Sequence, residues 1–143
     1  MVDEALLLRN LAELENCLGQ IKEYDDIVVE QYVRDWKTQR IVERTLQMMI
    51  ETCVDIAGHI ISDKRYRVPK SYGETFRILR EENVLGEGLC DTMEKMAQFR
   101  NIVVHSYDKV DAEIVVNILR NHLDDFLHYR NAILAFLKTI DED

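Results

Sequence analysis

A chain of 143 residues with five glycines and a single proline holds almost nothing that ends a helix. Turn-rich architectures need those two residues at intervals, so their scarcity restricts the fold to long helices joined by few loops. The apolar spacing agrees. Leu7, Leu11, Leu14, Leu18 and Ile21 recur every three or four residues, on one face of a helix running from Asp3, a plausible N-cap, to Tyr24. A second helix is predicted from Val28 to Ser62, with Trp36, Ile41, Leu46, Met49, Val54, Ile56, Ile60 and Ile61 as its apolar surface. Asp63 to Ser71 breaks the pattern around Pro69. Ser71, three residues before Glu74, has the form of a capping box for a short third helix ending near Glu82. Gly86 and Gly88 mark the next loop. A fourth helix follows from Leu89 to Val104, and Asp111 caps a fifth from Ala112 to Ile140. The predicted fold is all-α, an up-and-down bundle of four to five helices in one domain over residues 1–143.

Composition narrows the function classes. The net charge of −9 disfavours non-specific nucleic-acid binding by the molecule as a whole, so any RNA contact must use a local basic patch. Lys64, Arg65, Arg67 and Lys70 form one, with Arg77 and Arg80 following on the short helix and only Glu74 opposing them. The alternative is a solvated loop and a charged helix face. Cys17, Cys53 and Cys90 are odd in number and widely spaced, so neither a disulfide framework nor a zinc site is expected. Each reads as a small apolar filler. Asp3 and Glu4 precede Leu6-Leu7-Leu8, which is not a signal-peptide pattern, and no stretch is long and apolar enough to span a membrane. A cytoplasmic protein with no membrane contact is expected. The sequence has no Glu-x-x-His, His-Glu-x-x-His, phosphate-binding glycine loop or serine nucleophile elbow, so no metal and no cofactor are expected. Asp124-Asp125 and Asp141-Glu142-Asp143 read as solvated acidic faces.

The chemistry concentrates in Phe99-Arg100-Asn101-Ile102-Val103-Val104-His105-Ser106-Tyr107. Arginine stays charged and binds phosphate as a planar fork. Histidine is the side chain best suited to move protons near neutral pH. The two supply the minimum for cleaving a phosphodiester without a metal. On a helical wheel Arg100 falls within the apolar stripe of Leu89, Met93, Met96 and Val103, whereas Asn101 and His105 share a face roughly 100–140° away. On a straight helix Arg100 and His105 diverge. Either the helix ends near Val104 and His105 swings round, or Arg100 wraps back along its own length. The structural alternative for Arg100 is a buried ion pair, for instance with Asp55; for His105 it is a helix C-terminus favoured by the dipole.

Arg100-Asn101 followed four residues later by His105 matches the signature of HEPN domains. The longer string through Tyr107-Asp108 to Asp111 resembles the HepT toxin branch of that superfamily, in which Arg, four residues, His, one residue and Tyr follow in order. Glu51-Thr52-Cys53-Val54-Asp55-Ile56-Ala57-Gly58-His59 resembles the second helix of the same family, and the likeness in length and layout covers nearly the whole chain. The resemblance implies a metal-independent endoribonuclease whose site is assembled at a homodimer cleft. Arg100 would bind the phosphate, Asn101 would position it or orient His105, and His105 would move a proton as the ribose 2′-hydroxyl attacks. It also implies a partner antitoxin with a nucleotidyltransferase fold, MntA-like, that adenylylates Tyr107. The substrate would be RNA, with tRNA among the candidates. Two other classes stay open: a non-catalytic helical module that binds a nucleotidyltransferase, and a purely structural dimeric bundle.

Overall fold

The computed structural model describes residues 2–141, with only the backbone of Asp141, so the expectation for Asp141-Glu142-Asp143 lies outside the described side chains. Among the described residues it contains seven α-helices and no strand: α1 (Glu4–Ile21), α2 (Val29–Arg34), α3 (Trp36–Asp63), α4 (Tyr72–Glu81), α5 (Glu87–His105), α6 (Ala112–Asn121) and α7 (Asp124–Asp141). The long helices α1, α3, α5 and α7 pack in a closed ring, α1 on α3, α3 on α5, α5 on α7 and α7 on α1. The short helices fill the connections: α2 lies against α3 and α6, and α4 bridges α3 and α5.

The first helix forms as its spacing predicts. Leu7, Leu11, Leu14, Leu18 and Ile21 are all buried, and the Asp3 carboxylate accepts from the Leu6 N–H at 3.1 Å to cap the helix. Ser71 caps α4 by accepting from the Glu74 N–H at 3.1 Å. The reciprocal half of the box is displaced by one residue, because Glu74 reaches the Lys70 N–H rather than that of Ser71. The three cysteines are buried as free thiols, and the Cys90 thiol donates to Glu94 Oε1 at 3.8 Å.

Two predicted helices are each broken in two. The run from Val28 to Ser62 is interrupted at Asp35, whose non-helical backbone (φ −119°, ψ 88°) ends α2 and caps α3. The Asp35 carboxylate accepts from both the N–H and the hydroxyl of Thr38, at 3.1 and 2.7 Å, while Gln39 Nε2 donates to the Tyr32 carbonyl at 2.8 Å. These bonds replace the helical ones lost at the break. Trp36, read as part of the helix's apolar surface, therefore stands at the first turn of α3 and is 63% exposed, and Ile41 of the same set is exposed as well. The run from Ala112 to Ile140 breaks at His122, where the ring Nδ1 meets the Asp125 carboxylate at 2.9 Å. Neither break uses glycine or proline.

One buried contact ties the ring together. Tyr129 of α7 is fully buried, donates its hydroxyl to the Cys53 carbonyl of α3 at 2.7 Å, and meets Phe76 of α4 edge-to-face with centroids 5.8 Å apart. Among the described residues no helix is long and apolar enough to cross a membrane.

Candidate functional site

Helix α5 carries the motif. Gly86 opens it, and the helix continues unbroken through His105, ending where Ser106 leaves the helical region at φ −145°, ψ 49°. A 3₁₀ turn over Tyr107–Lys109 follows, and Asp111 caps α6 by accepting from the Glu113 N–H at 2.8 Å. His105 is exposed at the last turn of α5, and Tyr107 stands out at 71% exposure.

Arg100 is held in a half-buried niche where α3, α4 and α5 meet. Its Nη2 lies 3.4 Å from Glu51 Oε2 on α3, its Nη1 donates to Asn101 Oδ1 at 3.2 Å, and its guanidinium stacks over the Tyr72 ring at 4.6 Å from the centroid. Gln47 Nε2 donates to both oxygens of Glu51 and so braces the carboxylate from one turn away. Arg100 Nε is buried and has no hydrogen-bond partner. The ion pair anticipated with Asp55 is instead made with Glu51, one turn earlier. Asp55 is exposed and faces a cleft between α3 and α4.

The structure brings Arg100 and Asn101 together but leaves His105 apart. Since α5 is helical through His105, the two side chains are set about 140° round the axis and about 7.5 Å along it. The Asn101 amide oxygen is taken by Arg100, and no hydrogen bond joins Asn101 to His105 among the described residues. Asn101 also borders a small groove with Ser71, the cap of α4, and with Gly73 and Arg77 on that helix.

The basic loop divides. Arg67 is committed to two carboxylates, Glu74 at 2.7 Å and Glu81 at 2.8 Å, which hold both acids below the usual carboxylate range. That pairing takes Arg67 out of the set available to phosphate. Arg77 pairs with Glu94 and Arg80 with Glu87. Lys64, Arg65 and Lys70 make no ion pair among the described residues, and Lys70 lies on the rim of the α3–α4 cleft. Sequence reasoning missed Glu51, Gln47 and Tyr72 as the surroundings of Arg100. The available signal was Glu51 itself, one helical turn from the residue proposed as its partner.

No cluster of three His, Cys, Asp or Glu side chains gathers among the described residues. The profile of the ribonuclease HepT-like family matches residues 14–133. The mRNA nuclease HepT of Shewanella oneidensis is 32% identical over 91% of this chain and 97% of its own length. The tRNA nuclease HepT of Aphanizomenon flos-aquae is 26% identical over 99% of this chain and 97% of its own. Among solved structures, the tri-AMPylated Shewanella oneidensis HEPN toxin in complex with an MNT antitoxin superposes with a TM-score of 0.84 at 32% identity, covering 94% of this chain and 99% of that one. With its profile, its length and its helical architecture all in agreement, the chain belongs to the ribonuclease HepT-like family.

Proposed function

We propose that this protein is a cytoplasmic endoribonuclease toxin of a toxin–antitoxin pair, cleaving RNA without a metal ion. The observation that carries the reading is the state of Arg100: a permanent cation in a half-buried niche, gripped by Glu51, Asn101 and Tyr72, with its Nε donor unused. The Nε is enclosed, but Nη1 and Nη2 hold Asn101 and Glu51 only at 3.2 and 3.4 Å, contacts long enough to be exchanged for an incoming phosphate. Arg100 then binds the scissile phosphate and stabilises the charge that builds on it, with Asn101 fixing the guanidinium. His105 takes the proton of the attacking ribose 2′-hydroxyl. The O2′–P bond forms, the P–O5′ bond breaks, and the proton passes to the departing 5′ oxygen, leaving a 2′,3′-cyclic phosphate and a 5′-hydroxyl. Lys64, Arg65 and Lys70 contact neighbouring phosphates. The names of the relatives make mRNA and tRNA the first substrates to try.

The divergence of Arg100 and His105 along α5 is resolved by a homodimer in which Arg100 of one protomer faces His105 of the other. Ile102 and Val104 on the last turn of α5 and Ile114 on the first of α6 are each exposed near the motif, which supports a second copy packing at this end of the helix.

Tyr107 is the control point, adenylylated by an MntA-like antitoxin with a nucleotidyltransferase fold. Its exposure, its place two residues from His105 and the tri-AMPylated state of the solved Shewanella relative support this. Bulky anionic nucleotides there repel an RNA phosphate and fill the cleft.

The test is host growth. Expressed alone, the wild type arrests growth and His105→Ala does not, at equal soluble yield; co-expression of the antitoxin rescues the wild type but not Tyr107→Phe. The same divergence of Arg100 and His105 favours a second reading, a non-catalytic module that binds a nucleotidyltransferase. Unimpaired growth with soluble wild-type protein would select it.

A further inference from the structure

Beside Arg100 lies a cleft of ≈ 590 Å³ between α3 and α4, walled by Val54, Pro69 and Tyr72 and carrying Asp55, His59 and Lys70. Tyr72 belongs to both places, since its ring forms one wall of the cleft while Arg100 stacks on it. A nucleotide whose phosphate sits on Arg100 therefore has this cleft as its neighbour. The polar groups of the cleft are unspent. Asp55 and His59 are one turn apart on α3, and neither side chain makes a hydrogen bond or ion pair among the described residues, in contrast with Arg67, Arg77 and Arg80 close by. Gly58, between them, leaves the floor bare, and a Cβ built there meets nothing within 4 Å.

We propose that this cleft is a guanine subsite for the nucleotide next to the phosphate held by Arg100. The Asp55 carboxylate repels a phosphate but accepts hydrogen bonds, while Tyr72, Val54 and Pro69 provide the flat apolar surroundings that suit a base. An ionised carboxylate offers two adjacent acceptors and no donor. Guanine alone among the four bases presents two adjacent donors, N1–H and the 2-amino group. Adenine and cytosine set an acceptor nitrogen beside their amino group, and uracil flanks its single N–H with two carbonyls. Lys70, at the rim, meets the phosphate that follows.

The proposal rests on the ribonuclease reading only for the phosphate at Arg100, and it is tested without turnover. The probes are all-2′-fluoro uridine tetranucleotides, uncleavable for want of a 2′-hydroxyl, with guanosine or adenosine placed at each position in turn. Fluorescence anisotropy on the unmodified wild type is expected to show about tenfold or tighter binding with guanosine than with adenosine at one position. Asp55→Asn abolishes that preference without weakening the all-uridine probe, whose phosphates lose a repelling charge. Gly58→Met, which fills the cleft from a position with room for a side chain, abolishes it too, with an undiminished melting temperature. Equal affinities for the two probes, no measurable binding, or a guanine preference that survives both substitutions each overturn the proposal. Failure of the ribonuclease reading registers separately, as intact 2′-hydroxyl RNA.

Discussion

Replacing Arg100 with alanine separates a catalytic cation from a structural one. The structural part of its contribution can be worked out from its neighbours. The Glu51 pair is 3.4 Å long between side chains 15% and 28% exposed, so it is neither a surface pair nor a dry one, and its loss costs about 0.5–1 kcal/mol. The stack on Tyr72 adds about 0.5–1 kcal/mol. Glu51 is not stranded, because it keeps water on one side and Gln47 on the other. The penalty of several kcal/mol for abandoning a buried charge therefore does not arise. The total is about 1–2 kcal/mol, or a fall in Tm of roughly 2–8 °C for a chain of this size. On the proposed function the catalytic part is larger: losing a group that stabilises charge in the transition state is expected to lower kcat by about 10²–10³-fold. Urea unfolding followed by circular dichroism, beside RNA cleavage under native conditions, measures both. A stability loss above about 4 kcal/mol with activity falling only in step with the folded fraction would refute the reasoning and make Arg100 a structural ion-pair residue.

Three further outcomes follow from particular contacts. Tyr129→Phe removes one buried hydrogen bond to the Cys53 carbonyl without opening a cavity, and should cost about 1 kcal/mol in urea unfolding. Glu74 and Glu81 are held below the usual carboxylate range by Arg67, so on acidification the unfolded chain binds protons first. Their contribution is present above the ordinary carboxylate pKa and is lost as pH falls through the lowered folded values; Arg67→Met should flatten that segment of the Tm-versus-pH curve. Trp36, the sole tryptophan, is 63% exposed at the start of α3, so native fluorescence should already be red-shifted and change little in wavelength on unfolding.

The helical architecture was legible because it is written in repeated local choices: the leucine face of α1, the caps at Asp3, Ser71 and Asp111, and the scarcity of breakers. The two interrupted helices were not, because both breaks are made by side chains rather than by glycine or proline. Asp35 with Thr38 and His122 with Asp125 offer the backbone alternative partners, and only packing of the flanking segments decides that those win over one more helical turn. The motif residues could be named from spacing and family resemblance. The partner of Arg100 could not, since Glu51 and Asp55 share one face of α3 and the choice between them is the longitudinal register of α3 against α5. Register of that kind is set by core packing, to which periodicity along a single helix is blind. The basic loop illustrates the same limit: Arg67 looks like its neighbours in sequence, and its commitment to Glu74 and Glu81 depends on how the loop folds back over α4.

The central claim is an RNA-cleaving site made of Arg100 and His105, shared between two protomers and needing no metal. Its most direct test mixes Arg100→Ala and His105→Ala proteins, both made without the antitoxin and verified by intact mass, and assays cleavage of total RNA and tRNA in EDTA. Each variant alone is predicted to be inactive. Random re-pairing of the mixture into dimers rebuilds one intact site in each mixed dimer, restoring about a quarter of wild-type cleavage. Cleavage by His105→Ala on its own, none by the unmodified wild type, or no recovery in the mixture would contradict the account.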